Sequence, residues 1–180
     1  MPVPAPVWTI GHSTRSAGEF VAVLEAHGIE VVADVRRFPG SRRHPHFGSE
    51  ALEATLRARG LDYGWFARLG GRRRGEATEA QAGWRNPSFR AYAAYTWSDE
   101  FAAGLEELLH VAAARRTAIM CSELLWWRCH RALIADVLRF LGHEVVHIAT
   151  EKPGTAHPYT SPARIVDGQL SYAADDGGCC

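Results

Sequence analysis

Apolar and polar positions along the chain switch between two periods. Val7-Trp8-Thr9-Ile10 is a short apolar run that stops at Gly11-His12-Ser13, the pattern of a strand and its exit loop. Ser16-Ala17-Gly18-Glu19 has capping-box spacing, and Phe20, Val23, Leu24 and His27 then recur at helical period until Gly28 offers a stop. Ile29 to Ala33 is a second apolar, β-branched run, closed by Asp34. Strand, helix and strand joined this tightly read as a βαβ unit, which implies a parallel sheet.

The same reading continues to the C-terminal third. Residues 35–48 are polar, with Pro39-Gly40, and predict a long loop. Ser49 to Arg59 predicts a helix stopped by Gly60, Leu61 to Phe66 a third strand, and residues 67–87 a Gly- and Arg-rich loop. Helices are expected over Pro87 to Tyr95 and from Ser98 onward, the second with Phe101, Leu105, Leu108 and Leu109 on one face. Thr117 to Cys121 predicts the fourth strand, Cys129 to Leu141 a helix stopped by Gly142, and Glu144 to Ile148 the fifth strand, with the remainder irregular. No repeat or linker divides the chain. Residues 1–172 are therefore expected to form one α/β domain, a three-layer Rossmann-like or flavodoxin-like parallel sheet of about five strands, followed by a disordered tail over 173–180.

Composition narrows the function classes only a little. One hundred and eighty residues are enough to bury a core, and 47% hydrophobic with 22% charged residues are globular values. No apolar run approaches the roughly 20 residues that span a bilayer, and Met1 to Pro6 has neither a basic nor an apolar leader segment, so a cytoplasmic location is expected. Net charge is zero, which argues neither for nor against nucleic acid. Of the 20 basic residues, Lys152 alone is lysine. A GC-rich coding sequence accounts for most of that bias, but not for the clusters Arg36-Arg37, Arg42-Arg43, Arg72-Arg73-Arg74 and Arg128 with Arg131. Clustered guanidinium groups suit phosphate or carboxylate. Cys179 and Cys180 end the tail, while Cys121 and Cys129 lie in the body of the chain and read as free thiols.

In sheets of this kind ligands bind beyond the carboxyl ends of the strands. The rule selects His12 and Ser13 after the first strand, Asp34, Arg36 and Arg37 after the second, Cys121 to Arg131 after the fourth, and His147 and Thr150 after the fifth. Cys129-His130-Arg131 would open a helix, whose N-terminus attracts anions and favours a thiolate, with Arg128 and Arg131 adding to that field. Glu123 then reads either as a general base or as an acceptor that shapes the loop. Cys121 reads equally as a small buried residue, and Trp126-Trp127 as loop packing. Counting excludes two familiar loops. Six residues separate Cys121 from Arg128, where a phosphatase-type loop has five, and the seven between Cys121 and Cys129 are too many for the usual structural zinc pair. A metal held by Cys121, Cys129 or His130 with His12, His44 or His46 stays a minority alternative. Neither a GxGxxG nor a P-loop is present.

The loop from Asp34 to Phe47 holds four Arg and two His, with no acid after Asp34 to neutralise them. Such runs are usually solvated faces. Phe38, Phe47, Trp84-Arg85-Asn86 and Phe89-Arg90 add aromatic residues to arginine, a mixture that suits a stacked base with its phosphate held by Arg.

Taken together, Thr9-Ile10-Gly11-His12-Ser13, Asp34-Val35-Arg36 with Pro39 and Ser41-Arg42-Arg43, Gly70-Gly71, Trp84-Arg85-Asn86, and Cys121-Ser122-Glu123 with Arg128-Cys129-His130-Arg131 and Ile134-Ala135 resemble the DUF488 family. The resemblance runs from about Val7 to Tyr172. It implies a cytoplasmic Rossmann-like domain with its site around those positions, and no assigned reaction. Many members carry Asp-Pro in the loop where this chain has Leu124-Leu125-Trp126-Trp127. Two functions follow. One is an enzyme acting on a phosphate-bearing substrate, nucleotide or nucleic acid, with Cys129 as thiol, His130 as proton carrier, Glu123 as base, Cys121 beside them, and His12, Ser13, Asp34, Arg36, Arg37, Arg42, Arg128 and Arg131 binding the substrate. The other is a non-catalytic nucleotide or nucleic-acid binding or sensing module in which the cysteines pack or respond to oxidation. No cofactor is indicated.

Overall fold

A computed structural model describes residues 3–175. Five parallel strands make the centre of the sheet: β1 Val7–Gly11, β2 Val31–Asp34, β3 Asp62–Trp65, β4 Thr117–Cys121 and β5 Val145–His147. A two-residue strand, β6 Thr155–Ala156, pairs antiparallel with β5 and completes the order β3-β2-β4-β1-β5-β6. Every residue of β1, β2 and β4 is buried. A strand covered on both faces has no reason to alternate, hence the continuous apolar runs.

Helices α1 Ala17–Ala26 and α2 Ser49–Ala58 cover one face, packing Phe20, Leu24, Leu52 and Leu56 against Trp8, Ile10, Val32, Ala118 and Met120. Helices α3 Pro87–Tyr95, α4 Asp99–Ala114 and α5 Arg131–Phe140 cover the other with Tyr92, Phe101, Leu108, Leu133 and Ile134 against Val7, Ala33, Ile119 and Cys121. Each such buried side chain contributes about 1.5–3 kcal/mol. Successive β4 residues serve opposite cores, and that period of two aims the Cys121 sulfur at the α5 side.

The ends follow local chemistry. Ser16 and Glu19 close the expected capping box at α1, Asn86 caps α3 one residue before Pro87, and Ser98 caps α4; such caps are worth about 1 kcal/mol each. Helix α5 starts two residues later than expected, because Cys129 is extended (φ −139°, ψ 167°) after a 3₁₀ turn over Trp126–Arg128. The 67–87 loop contains two further 3₁₀ turns, Ala67–Leu69 and Glu79–Gln81. The region after β5, expected to be irregular, instead adds β6 and a hairpin, β7 Arg164–Val166 with β8 Gln169–Ser171. Asp167 and Gly168 turn that hairpin with φ of 50° and 73°, the two left-handed positions an Asp-Gly pair supplies most cheaply. Of the expected tail, Asp175 ion-pairs with Arg164, and residues 176–180, with Cys179 and Cys180, lie outside the described residues. Among the described residues no helix is long and apolar enough to cross a membrane.

Topology decides where a site can form. Strand β1 leaves through α1 toward β2, while its neighbour β4 leaves through α5 toward β5, on the opposite face. The two connections diverge and open a crevice at the carboxyl ends of β1 and β4.

Candidate functional site

Gly11 of β1 pairs with Cys121 of β4, and the ladder runs on past both strands: His12 N donates to Cys121 O at 2.9 Å and Ser13 N to Ser122 O at 3.0 Å. The loop after β4 then folds back over β1. A Cβ at position 11 would stand 1.8 Å from Glu123 O, so only glycine admits the loop. Arg131 Nη2 fastens that loop by donating to Glu123 O at 2.6 Å and Leu124 O at 3.3 Å.

The result is a thiol pair. Cys121 Sγ and Cys129 Sγ lie 2.8 Å apart, and the Cys129 sulfur also receives Arg131 N and Arg131 Nε, each at 3.3 Å. With two N–H donors already on Cys129, Cys121 is the thiol that donates. Burial works against a charge on Cys129, but the Cys121 thiol, His130 and Arg131 outweigh it and hold its pKa well below the ordinary range. Burial, with Cys129 beside it, pushes Cys121 well above that range. The two shifts run in opposite directions, so negative charge on the pair is favoured at Cys129.

His130 stands at the start of α5 with Nε2 2.7 Å from Val35 O. A carbonyl only accepts, so Nε2 carries a proton, which leaves Nδ1 as the ring nitrogen free of that bond. A Cβ at Gly71 would come within 2.8 Å of that Nδ1, which ties the Gly70-Gly71 loop to the site. Tyr92 packs edge-on to the ring and donates to Leu69 O at 2.6 Å.

A second cluster borders the first. Asp34 accepts from Arg36 Nε at 2.9 Å, Arg36 Nη2 at 2.6 Å and Tyr63 OH at 2.7 Å, and Arg36 Nη1 donates to Phe47 O at 2.8 Å. His12 stacks on Phe47 and takes a longer contact, 3.4 Å, from Arg36 Nη1. Burial first, then Arg36 and His44, lower its pKa to about 4 against the opposing hydrogen bond to Ser13 O and the charge of Asp34, so the ring is neutral at pH 7.

Both clusters line a cleft of about 1010 Å³. Of the expected site residues, Cys121, Cys129, His130, Glu123, His12, Ser13, Arg36, Arg37 and Arg128 line it. Three do not. Asp34 is fully buried, its carboxylate bonded to Arg36, and Arg42 is exposed and does not line the cleft, whereas Arg43 does. Arg131, expected to hold the anion, is 1% exposed and spends its donors on Cys129, Thr9 and the loop carbonyls. Its charge faces the sulfur instead. Glu123 contributes its carbonyl to the framework, and its exposed side chain has no hydrogen-bond partner among the described residues. The wall also includes Arg72, His44, Asn86, Phe89 and Tyr92. Arg72 and Phe89 belonged to the basic and aromatic runs of the sequence; nothing in the pattern around Tyr92 set it apart from a core residue. Among the described residues no group of three or more His, Cys, Asp or Glu side chains is arranged to hold a metal ion; His46 packs on Phe47, and His44 lies edge-on to His12 and His46.

No curated protein and no solved structure matches the chain. One family model does, over residues 16–138, a span that takes in β2, β3, β4, both cysteines and most of α5. The chain belongs to the family described as domain of unknown function DUF488.

Proposed function

We propose that the protein is a cysteine-dependent enzyme that acts, with Cys129 as its reactive thiolate, on a phosphate-bearing substrate, a nucleotide or a nucleic-acid end, seated in the cleft. One observation carries the reading: a sulfur with three donors on it opens onto a wall whose Arg37, Arg43, Arg72 and Arg128 have no ion-pair partner among the described residues. The sulfur supplies the nucleophile, and unpaired guanidinium groups supply a seat for phosphate. His130 is the proton carrier of this reading, held by its Nε2 on Val35 O, and Phe89 offers an aromatic face to a base. Alkylation by iodoacetamide, mapped by mass spectrometry, tests the thiolate. At pH 6 Cys129 reacts faster than a free thiol and Cys121 does not. An accessible Cys129 that reacts no faster than free cysteine ends the proposal. Calorimetry with ADP in low salt tests the seat: Arg72→Met and Arg128→Met each weaken binding about three-fold or more, and unchanged binding removes the phosphate.

A second reading rests on the 2.8 Å between the sulfurs. They are within about 1 Å of bonding distance, so a disulfide-bearing oxidant could take two electrons from the pair, its two product thiols completed by the Cys121 proton and one proton from solvent, and leave a Cys121–Cys129 disulfide. Equilibration with a glutathione redox buffer separates the two readings. A dithiol enzyme loses all activity in Cys121→Ser, whereas the nucleophile reading keeps Cys129 reactive there.

A further inference from the structure

Behind the thiol pair lies a buried chain of polar side chains that the reading above leaves unused. Arg131 Nη1 donates to Thr9 Oγ1 at 3.1 Å, Thr9 Oγ1 meets His147 Nδ1 at 2.6 Å, His147 Nε2 meets His157 Nδ1 at 2.8 Å, and His157 Nε2 meets Asp136 Oδ1 at 2.8 Å. Asp136 also accepts from Thr160 N, Thr160 Oγ1 and Tyr172 OH at 2.9, 2.5 and 2.9 Å. Four donors around one carboxylate leave no acceptor for a carboxyl proton, so Asp136 is the anion. Every member is at most 7% exposed.

The direction of the chain follows from its end. A guanidinium only donates, so Thr9 Oγ1 accepts from Arg131 and gives its own proton to His147 Nδ1; His147 then donates from Nε2 to His157 Nδ1, and His157 from Nε2 to the Asp136 carboxylate. The reverse direction would leave the Thr9 proton without an acceptor among the described residues. Trp126 stacks on His147, centroids 4.4 Å apart, and meets His157 edge-on, so the two-histidine link is shielded from water by the same loop that covers the thiols.

We propose that Thr9, His147, His157 and Asp136 form a one-way hydrogen-bonded relay that holds the Arg131 guanidinium against the Cys129 sulfur, and so are positioning residues for its thiolate. The inference rests on the reading of Cys129 as the reactive group and adds how that group is set. Arg131 has the anion Cys129 on one side and, through three neutral links, the anion Asp136 on the other. Thr9, His147 and His157 lie outside the residues 16–138 that the family model matches, so the strands and the C-terminal segment flanking that match complete the site. The titratable and charged groups facing Cys129 are Cys121, His130, Arg131 and Tyr92; those facing His147 are His157 and Arg131.

The test reads the pH profile of alkylation at the Cys129 peptide in the full chain. Thr9→Val keeps the shape and deletes the hydroxyl; Thr9→Ser restores it. Expected is an upward shift of about 0.5 pKa unit or more in the midpoint of the Thr9→Val profile, read as a roughly three-fold slower reaction on its acid limb, with the wild-type profile regained in Thr9→Ser. A folded Thr9→Val with an unshifted profile overturns the relay and leaves Cys129 as the nucleophile. A wild-type Cys129 that titrates as a free thiol overturns both. Should Thr9→Val not fold, long-range ¹H–¹⁵N NMR on the wild-type protein decides: both His147 and His157 carry their proton on Nε2, and an Nδ1–H tautomer at either ring overturns the inference.

Discussion

Trp126 lies face to face on His147, ring centroids 4.4 Å apart and planes within 3° of parallel. The contact joins the loop after β4 to the end of β5, two segments that share no backbone ladder. Trp127, its neighbour, is 52% exposed. Trp126→Ala is expected to lower stability by about 2 kcal/mol, while Trp127→Ala stays within about 0.5 kcal/mol of wild type. Urea midpoints measure both, and equal losses would show that the loop is held by something other than this stack.

Stability is expected to fall in mild acid. His12 and His147 have pKa values lowered from 6.5 to about 4 and about 3, in both cases chiefly by burial. The unfolded chain takes up these protons near pH 6.5, and the folded chain does so only at the lower values. Their contribution is whole above pH 6.5 and drains away as pH falls toward 4 for His12 and 3 for His147, by about 1.4 kcal/mol per pH unit for each ring. Urea unfolding between pH 7 and 4.5 checks the slope; a flat profile refutes neutral burial of the two rings.

Gly11→Ala is expected to abolish the closed loop. Its Cβ would meet the backbone oxygen of Glu123, which cannot rotate aside, so a loss of at least about 3 kcal/mol or failure to fold should follow. Gly40 has nothing within 4 Å of the same position, and Gly40→Ala serves as the neutral control. Thermal melts of the two variants make the comparison.

The Asp34–Arg36 pair is buried on both sides, with side-chain exposures of 0% and 7%. Asp34→Ala leaves a buried cation and is expected to cost about 3–5 kcal/mol. The double variant Asp34→Ala with Arg36→Met removes the stranded charge and should recover part of that loss. A double variant no better than the single one would show that Arg36 is needed for its bond to Phe47 O rather than for its charge.

Much of this was written in local pattern. The Ser16–Glu19 box, the Asn86-Pro87 start and the run Thr117 to Cys121 form their elements as read, because each depends on neighbours within four residues. The hairpin at Asp167-Gly168 carried an equally local signal that its short, three-residue strands obscured. Placement of the cysteines, His130 and the arginines at one sheet edge followed from the βαβ order alone, since parallel strands send all their exit loops to the same end.

What local pattern could not specify is which of those residues meet. That Arg131 turns inward to the sulfur and not outward to an anion depends on Thr9, from a strand 122 positions away. Asp136 looks like a lone acid on an apolar helix face until His157, Thr160 and Tyr172 arrive around it. The sequence by itself determined the layers, the edge that bears the chemistry and the thiols that supply it. The meeting of the two sulfurs, and the hydrogen-bonded side chains behind them, were decided by tertiary structure, because these partners are brought together only when β1, β5 and α5 pack.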